Sequence, residues 1–90
     1  MVYMITYDLN KSGQEYEKVI EAIKSASTGV WCTYWKSSYL IQSNLTSANA
    51  VVEKIAPFID GNDMLIAIEV TRNYQGMLPK DAWDYIRNMF

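Results

Sequence analysis

Residues 2–8 of the chain read Val2-Tyr3-Met4-Ile5-Thr6-Tyr7-Asp8. β-branched, aromatic and other apolar side chains fill this stretch up to the carboxylate at its end, a composition typical of a buried strand. The next five residues break the pattern and read Leu9-Asn10-Lys11-Ser12-Gly13. The stretch therefore predicts a strand that carries Asp8 to the start of a loop, with a helix after the loop.

The composition limits both the size and the chemistry of the domain. The chain has 90 residues, half of them hydrophobic, which suits one core, and its net charge of −2 has the wrong sign for a nucleic-acid binder that relies on bulk electrostatics. There is no histidine, which excludes Ser-His and Cys-His nucleophile pairs and ordinary zinc sites. Cys32 is the only cysteine, and we expect it to be a small buried hydrophobe. No apolar run is long enough to span a membrane, so we expect a cytoplasmic protein without a membrane partner.

Three stretches have the apolar spacing of amphipathic helices. The first starts at an S-x-x-E capping box, Ser12 to Glu15, and its buried stripe comprises Tyr16, Val19, Ile20, Ile23 and Ala26. The second starts after Thr46 as N-cap, and its stripe comprises Ala48, Val51, Val52, Ile55, Ala56 and Ile59. The third starts at Leu78-Pro79, and its apolar side comprises Ala82, Trp83, Ile86 and Phe90.

Three further stretches predict strands. β-forming residues occupy positions 30–35 and 38–43, which a turn at Lys36-Ser37 joins into a hairpin. Residues 64–70 form a nearly continuous apolar run, which we expect to be buried on at least one face and on most of both. The order β-α-β-β-α-β predicts a ferredoxin-like α+β fold, with a four-stranded antiparallel sheet, two helices on one face and a C-terminal helix. We expect one domain over residues 1–90, with its core at 1–70 and a helical extension at 71–90.

Apolar side chains on both faces of the predicted sheet indicate a homodimer. The first strand places Val2 and Met4 on one face and Tyr3 and Ile5 on the other. The two core helices cover only one face, and the third helix can cover only part of the other. The apolar surface that is left in water is typical of a protein interface.

With this topology around its first strand, the chain resembles the small CRISPR-associated adaptation nucleases. It is more closely similar, over nearly its whole length, to the bacterial and phage proteins called SinR-like. The matching segments are Ile5-Thr6-Tyr7-Asp8-Leu9-Asn10, Asp60-Gly61-Asn62-Asp63 and Leu78-Pro79-Lys80-Asp81-Ala82-Trp83. The resemblance implies a ferredoxin-fold homodimer from a family in which some members are metal-dependent nucleases that partner the spacer-acquisition integrase.

The resemblance carries over one candidate catalytic residue and metal ligand, Asp8. In the nucleases the matching carboxylates of the two subunits face each other and together hold one divalent cation, for which Mg²⁺ or Mn²⁺ is suited. The basic residues that usually follow in that family are replaced here by Asn10, Gln14, Glu15, Glu17 and Glu21. A second interpretation is that Asp8 only accepts backbone N–H bonds in the loop that follows its strand.

Two other groups of residues have alternative interpretations. Asp60, Asn62 and Asp63 resemble a metal cluster, but we interpret them as turn residues because they lack the ligand spacing of a calcium loop. Four aromatic residues have two interpretations. They belong to the core and the dimer interface, or they form a surface on which nucleobases stack. They are Trp31, Tyr34, Trp35 and Tyr39.

Three functions follow from these observations. The first is a catalytically silent homodimeric binding or assembly module of a prokaryote or phage, linked to nucleic-acid transactions or defence through a nucleic-acid or protein partner, which requires no cofactor. The second is an endonuclease that uses Asp8 from both subunits and needs Mg²⁺ or Mn²⁺. The third is a small nucleotide-binding module that holds its ligand between aromatic rings at the dimer cleft.

Overall fold

The computed structural model describes residues 1–10 and 13–90. Its elements, in chain order, are β1 (Val2–Asp8), α1 (Gly13–Ala26), β2 (Trp31–Trp35), β3 (Ser38–Gln42), α2 (Ala48–Ile55), β4 (Met64–Val70) and α3 (Lys80–Arg87). One turn of 3-10 helix, Ala56–Phe58, follows α2 directly. This order confirms the predicted α+β fold with its C-terminal helix.

Strand β1 lies inside the sheet, whose strand order is β2-β3-β1-β4. It pairs antiparallel with β3 from Val2↔Gln42 to Thr6↔Ser38, and antiparallel with β4 along its full length. Each β-α-β unit therefore skips one strand position, which is the connection of a ferredoxin-like fold. The hairpin partners β2 and β3 are also antiparallel, so the predicted antiparallel sheet is confirmed.

The main core lies between α1, α2 and one face of the sheet, which we call the helical face. Successive strand residues point to opposite faces, so Tyr3, Ile5 and Tyr7 of β1 all face the two helices and are buried. The helices contribute apolar residues at helical spacing, among them the fully buried Val19 and Ile55. The predicted stripe of α1 and most of that of α2 therefore form this core.

The ends of several elements differ from the sequence prediction. The N-cap of α2 is Ser47, whose hydroxyl accepts the Ala50 N–H at 3.0 Å, and not Thr46. The α-helix ends at Ile55, because Pro57 in the next turn has no N–H for a helical hydrogen bond, and Ala56 is exposed. Strands β2 and β3 are one residue shorter than predicted. The predicted capping box begins at Ser12, which lies outside the described residues.

Helix α3 packs on the opposite face of the sheet, which we call the α3 face. It forms a second core cluster whose buried members are Val2, Cys32, Leu40, Ile86 and Met89. The helix begins at Lys80 with Pro79 in the N-cap position, one residue later than predicted. The structure confirms that Cys32 is buried and that α3 covers part of this face.

The connection between β4 and α3, residues 71–79, crosses the α3 face without regular secondary structure. Tyr74 holds it in place, since its ring stacks between those of Trp83, at 6.3 Å between centroids, and Phe90, at 5.6 Å. The predicted docking side of α3 is therefore divided. Ile86 is buried against the sheet, whereas Trp83 and Phe90 are partly buried around Tyr74.

Strand β4 is buried on one face only, so the prediction that most of both faces would be buried is wrong for the single chain. Leu65 and Ala67 pack against the main core on the helical face. On the α3 face, Met64, Ile66 and Ile68 are 64%, 53% and 52% exposed. The physical reason is that α3 lies over β1, β2 and β3 and reaches the edge strand β4 only at its end, where Val70 packs against the α3 cluster.

Candidate functional site

Met64, Ile66 and Ile68 form an exposed row along β4, which we call the β4 stripe. Their spacing of two residues places all three side chains on the α3 face. Each lies beside a β1 residue that points the same way, in the pairs Asp8↔Met64, Thr6↔Ile66 and Met4↔Ile68. The stripe therefore extends along the whole open margin of that face and ends next to Asp8.

Covering the β4 stripe with another apolar surface would lower the free energy of the protein in water. Scattered apolar residues are normal on protein surfaces, but a continuous apolar row marks an interface. Transfer of a Met or Ile side chain from water to an apolar environment contributes roughly 1.5–3 kcal/mol, so covering three half-exposed side chains gives on the order of 3 kcal/mol per copy. This is a considerable fraction of the stability of a small domain.

Asp8 is exposed at the end of β1, where it faces the same side as the β4 stripe. It lines a shallow groove of about 260 Å³ together with Thr6, Met64 and Ile66. Within residues 1–10 and 13–90, no side-chain hydrogen bond or ion pair involves its carboxylate. The predicted loop bonds of Asp8 concern a loop that is partly outside this range, so both interpretations of Asp8 stay predictions.

A metal site within one copy would need more ligands than Asp8 supplies. Divalent cations such as Mg²⁺ take six oxygen ligands, of which the protein usually contributes at least one or two carboxylates. In the part of the chain that the structure describes, no group of three or more His, Cys, Asp or Glu side chains is close enough to hold a metal ion. A cation at Asp8 would therefore draw its other ligands from water, from substrate or from a second copy.

The predicted turn at residues 60–63 has a structural role that involves the loop after β1. The Asp63 carboxylate accepts the Asn10 N–H at 2.8 Å through Oδ1 and the Asp60 N–H at 2.9 Å through Oδ2. The Asp63 N–H in turn donates to the Asp60 carbonyl at 3.0 Å. Asp63 thus fixes the turn before β4 and joins it to the chain that leaves β1, as turn chemistry predicts.

The four aromatic residues of the hairpin divide into two pairs. Tyr39 is buried, and Trp31 packs against the same core with the Lys24 ammonium 4.2 Å from its ring centroid. Tyr34 and Trp35 are 42% and 37% exposed and meet edge to face at 5.9 Å between centroids. The core interpretation therefore holds for the first pair, whereas the second pair is free to contact a partner.

Burial also controls the charge of the tyrosines beside the core. It raises the pKa of the Tyr7 phenol well above its ordinary value of 10.0, and the neighbouring Tyr16 and Tyr39 raise that pKa further. The Tyr7 ring meets Tyr16 edge to face at 5.7 Å and stacks on Tyr39 at 6.4 Å. The Tyr7 phenol is neutral at physiological pH, so Tyr7 adds no negative charge next to Asp8.

The sequence pattern did not identify a cavity between α3, the 71–79 connection and the sheet. The cavity has a volume of about 280 Å³, and its lining is mainly apolar and includes Met4, Trp35, Tyr74 and Trp83. Tyr74 is part of this lining, and an aromatic residue in a polar connection was the one available signal in the sequence. Met77, at the rim, is 98% exposed.

None of the helices among the described residues is both long enough and apolar enough to cross a lipid bilayer. Comparison with known proteins gives no relative, since no family model and no curated protein matches the chain.

Proposed function

We propose that the chain is a homodimeric binding or assembly module of a prokaryotic or phage cytoplasm, and that it is catalytically silent. The β4 stripe is the observation that carries this proposal, because Met64, Ile66 and Ile68 are apolar and more than half exposed in the single chain. The ferredoxin-like fold, which the CRISPR-associated adaptation nucleases share, supports it further. The dimer would present nucleic-acid or protein partners with a symmetric surface.

The charges around Asp8 support a protein without nuclease activity. A nuclease needs cations to hold the phosphate backbone and to offset the charge that develops in the transition state. Here Glu15, Glu17 and Glu21 are all exposed on α1, the helix that follows Asp8. A phosphate that approaches along this helix would meet negative charge, so we expect no cleavage of RNA or DNA.

Light scattering at micromolar concentration tests the dimer. We expect twice the chain mass of 10.4 kDa for the wild type. We expect a monomer for the double variant Ile66→Lys/Ile68→Lys, because two ammonium groups from each copy would be partly desolvated in the interface and would repel those of the other copy. Phe58→Lys is the matched control, since Phe58 is 41% exposed on the 3-10 turn after α2. A wild-type monomer at every concentration would contradict the proposal, as would a double variant that stays dimeric.

The alternative is an endonuclease with a divalent cation held by Asp8 of both copies. It is favoured by the position of Asp8, which is exposed on the same face as the β4 stripe. If it is right, Mg²⁺ or Mn²⁺ raises the melting temperature through binding to the folded dimer, and Asp8→Asn abolishes both this shift and cleavage. Asp81→Asn, on the exposed side of α3, is the control. We expect no shift and no cleavage, and metal-dependent cleavage that Asp8→Asn removes would overturn the proposed silence.

A further inference from the structure

The two outer strands of the sheet are protected to very different degrees. An edge strand presents unpaired N–H and C=O groups, and proteins usually protect it with bulges, short length, prolines, charges or a covering element. Strand β2 has several such features. It has five residues, its register shifts between Cys32 and Trp35, and the Tyr85 hydroxyl of α3 donates to the Trp31 carbonyl at 2.8 Å. This edge is closed to another strand.

Strand β4 lacks these protections. Its seven residues, Met64–Val70, contain no proline, and they pair with β1 in one unbroken register. Among the described residues, no strand and no other backbone group bonds to its outer side. Glu69 is the one charged residue in the strand. The outer side of β4 is therefore a flat, mainly apolar edge whose backbone groups can accept a further strand.

We propose that two copies of the chain join β4 to β4 in antiparallel register centred on Ala67. This would combine the two four-stranded sheets into one sheet of eight strands. The inference rests on the proposed dimer and specifies its geometry. A two-fold axis at Ala67 places Ile66 opposite Ile68 of the second copy and Met64 opposite its Val70. Apolar side chains on the α3 face then meet across the axis, where cross-strand pairs stabilise a sheet.

Other symmetric registers match less well. Centring on Ile66 would place Asp63 opposite Glu69 of the second copy, and like charges directly opposite each other destabilise a sheet. Centring on Ile68 would place Met64 opposite the Arg72 of the second copy. The register at Ala67 avoids both pairs and gives four apolar pairs on the α3 face, against three in either of the other registers. On the helical face it places Leu65 opposite Glu69 of the second copy. Self-complementarity of this kind is what a two-fold interface requires.

This geometry has a direct consequence for Asp8. The two Asp8 residues would lie at opposite ends of the joined sheet, separated by about six residues along the strands and three strand spacings across them. At ~3.4 Å per residue and ~4.8 Å per strand, this distance is about 25 Å. Two carboxylates that far apart cannot bind one cation. The inferred pairing therefore predicts the catalytic silence of the proposed function and excludes a shared metal site.

A disulfide cross-link tests the register. In a Cys32→Ala background, Ala67→Cys would place two thiols opposite each other, with Cα atoms ~4.5–5.5 Å apart, which suits a disulfide. We expect nearly complete conversion to a covalent dimer on mild oxidation, seen on non-reducing gels. Leu65→Cys in the same background is the control, because the two introduced thiols would be about 14 Å apart along the strands, at ~3.4 Å per residue.

The outcomes separate the inference from the proposed function. A dimer by light scattering that does not cross-link through position 67, or that cross-links equally through position 65, overturns the β4 pairing and leaves the dimer standing. A monomer overturns both. Hydrogen exchange on the wild type provides a measurement that does not depend on variants. We expect β4 amides to exchange at least tenfold more slowly in concentrated than in dilute protein and β2 amides to be unchanged, and equal rates in β4 would overturn the pairing.

Discussion

Ser43 is a buried polar side chain, with 1% of its surface exposed. Its hydroxyl donates to the Ala26 carbonyl at 2.6 Å, at the end of α1, and accepts the Leu45 N–H at 3.1 Å. One oxygen atom therefore satisfies two backbone groups from different parts of the chain. A buried group left without such a partner costs more than the bond itself contributes. Ser43 thus holds the end of α1 against the connection between β3 and α2.

We predict that Ser43→Ala lowers the free energy of unfolding by about 1–3 kcal/mol, because the Leu45 N–H and the Ala26 carbonyl lose their partner. Ser25→Ala is the matched control. Like Ser43, Ser25 donates to a backbone carbonyl of α1, that of Ala22 at 2.7 Å. Ser25 is exposed, however, so water can replace this bond. Urea denaturation measures both variants. Equal stabilities would show that water reaches position 43.

The Cys32 thiol is buried in the apolar cluster under α3, and this burial raises its pKa from 9.0 to about 11. The unfolded chain therefore releases the thiol proton at lower pH than the folded chain does. The corresponding stability is complete below pH 9, and it is lost as the pH rises from 9 towards 11.

We predict that Cys32→Ala removes this part of the alkaline destabilisation. Between pH 8 and pH 10.5, the wild type should lose about 1–2 kcal/mol more free energy of unfolding than the variant, from a shift of two pKa units. The tyrosines titrate in both proteins, so their contribution cancels in the difference, except for that of Tyr34, whose pKa is raised by partial burial and then by the charge of Cys32. Denaturation at several pH values measures it. A constant difference between the two proteins across this range would mean that the thiol is accessible to water.

At the scale of elements, helix α3 differs from α1 and α2 in how it is attached. Residues 72–78 make no backbone-to-backbone hydrogen bond with the described part of the chain. The helix is held by the buried Ile86 and Met89 and by the stack around Tyr74. Two side-chain bonds add to this, from Gln42 Nε2 to the Met89 carbonyl at 2.9 Å and from the Tyr85 hydroxyl to the Trp31 carbonyl at 2.8 Å. Elements with few backbone bonds open locally before the core does. We therefore expect α3 to open locally before the ferredoxin-like core unfolds.

We predict that Ile86→Ala weakens α3 docking more than Trp83→Ala. Ile86 is 3% exposed, and truncation of such a residue costs about 2–5 kcal/mol. Trp83 lies at the rim against Tyr74, so its loss falls below the 3–5 kcal/mol of a fully buried ring. Thermal melting compares the two variants, with Arg87→Ala as the exposed control. The opposite order would show that the ring stack, and not the sheet contact, holds the helix.

At the scale of the whole molecule, the fold followed from local patterns that the sequence displays directly. Helical spacing, strand composition and the residue 60–63 turn each depend on neighbours in the chain, and all led to the correct element order. The exposure of Ile66 did not follow, because it depends on distant contacts. The N-cap at Ser47 did not follow because Thr46 and Ser47 are adjacent and both residue types are good N-caps. A run of apolar residues shows that a strand can be buried. Whether it is buried depends on where a helix such as α3 ends.

The same scale gives a prediction about concentration. If unfolding is coupled to dissociation of the dimer, the melting temperature rises as protein concentration rises, through mass action. We expect an increase of several degrees over a hundredfold range for the wild type and none for Ile66→Lys/Ile68→Lys. Differential scanning fluorimetry provides the measurement. A melting temperature that is independent of concentration in the wild type would mean that the folded chain is stable alone.

The closed edge at β2 has a consequence for how far association can proceed. A sheet with two accepting edges can add copies at both ends and polymerise into a fibre of unlimited length. Here the register shift in β2 and the Tyr85 hydroxyl on Trp31 block one end of each sheet. A copy with one accepting edge can bind one further copy, and the joined sheet then has no accepting edge left. In the β4-to-β4 dimer that we propose, both outer edges are β2 strands, so assembly stops at two copies. The Tyr85 hydroxyl and the register shift of β2 together set this limit.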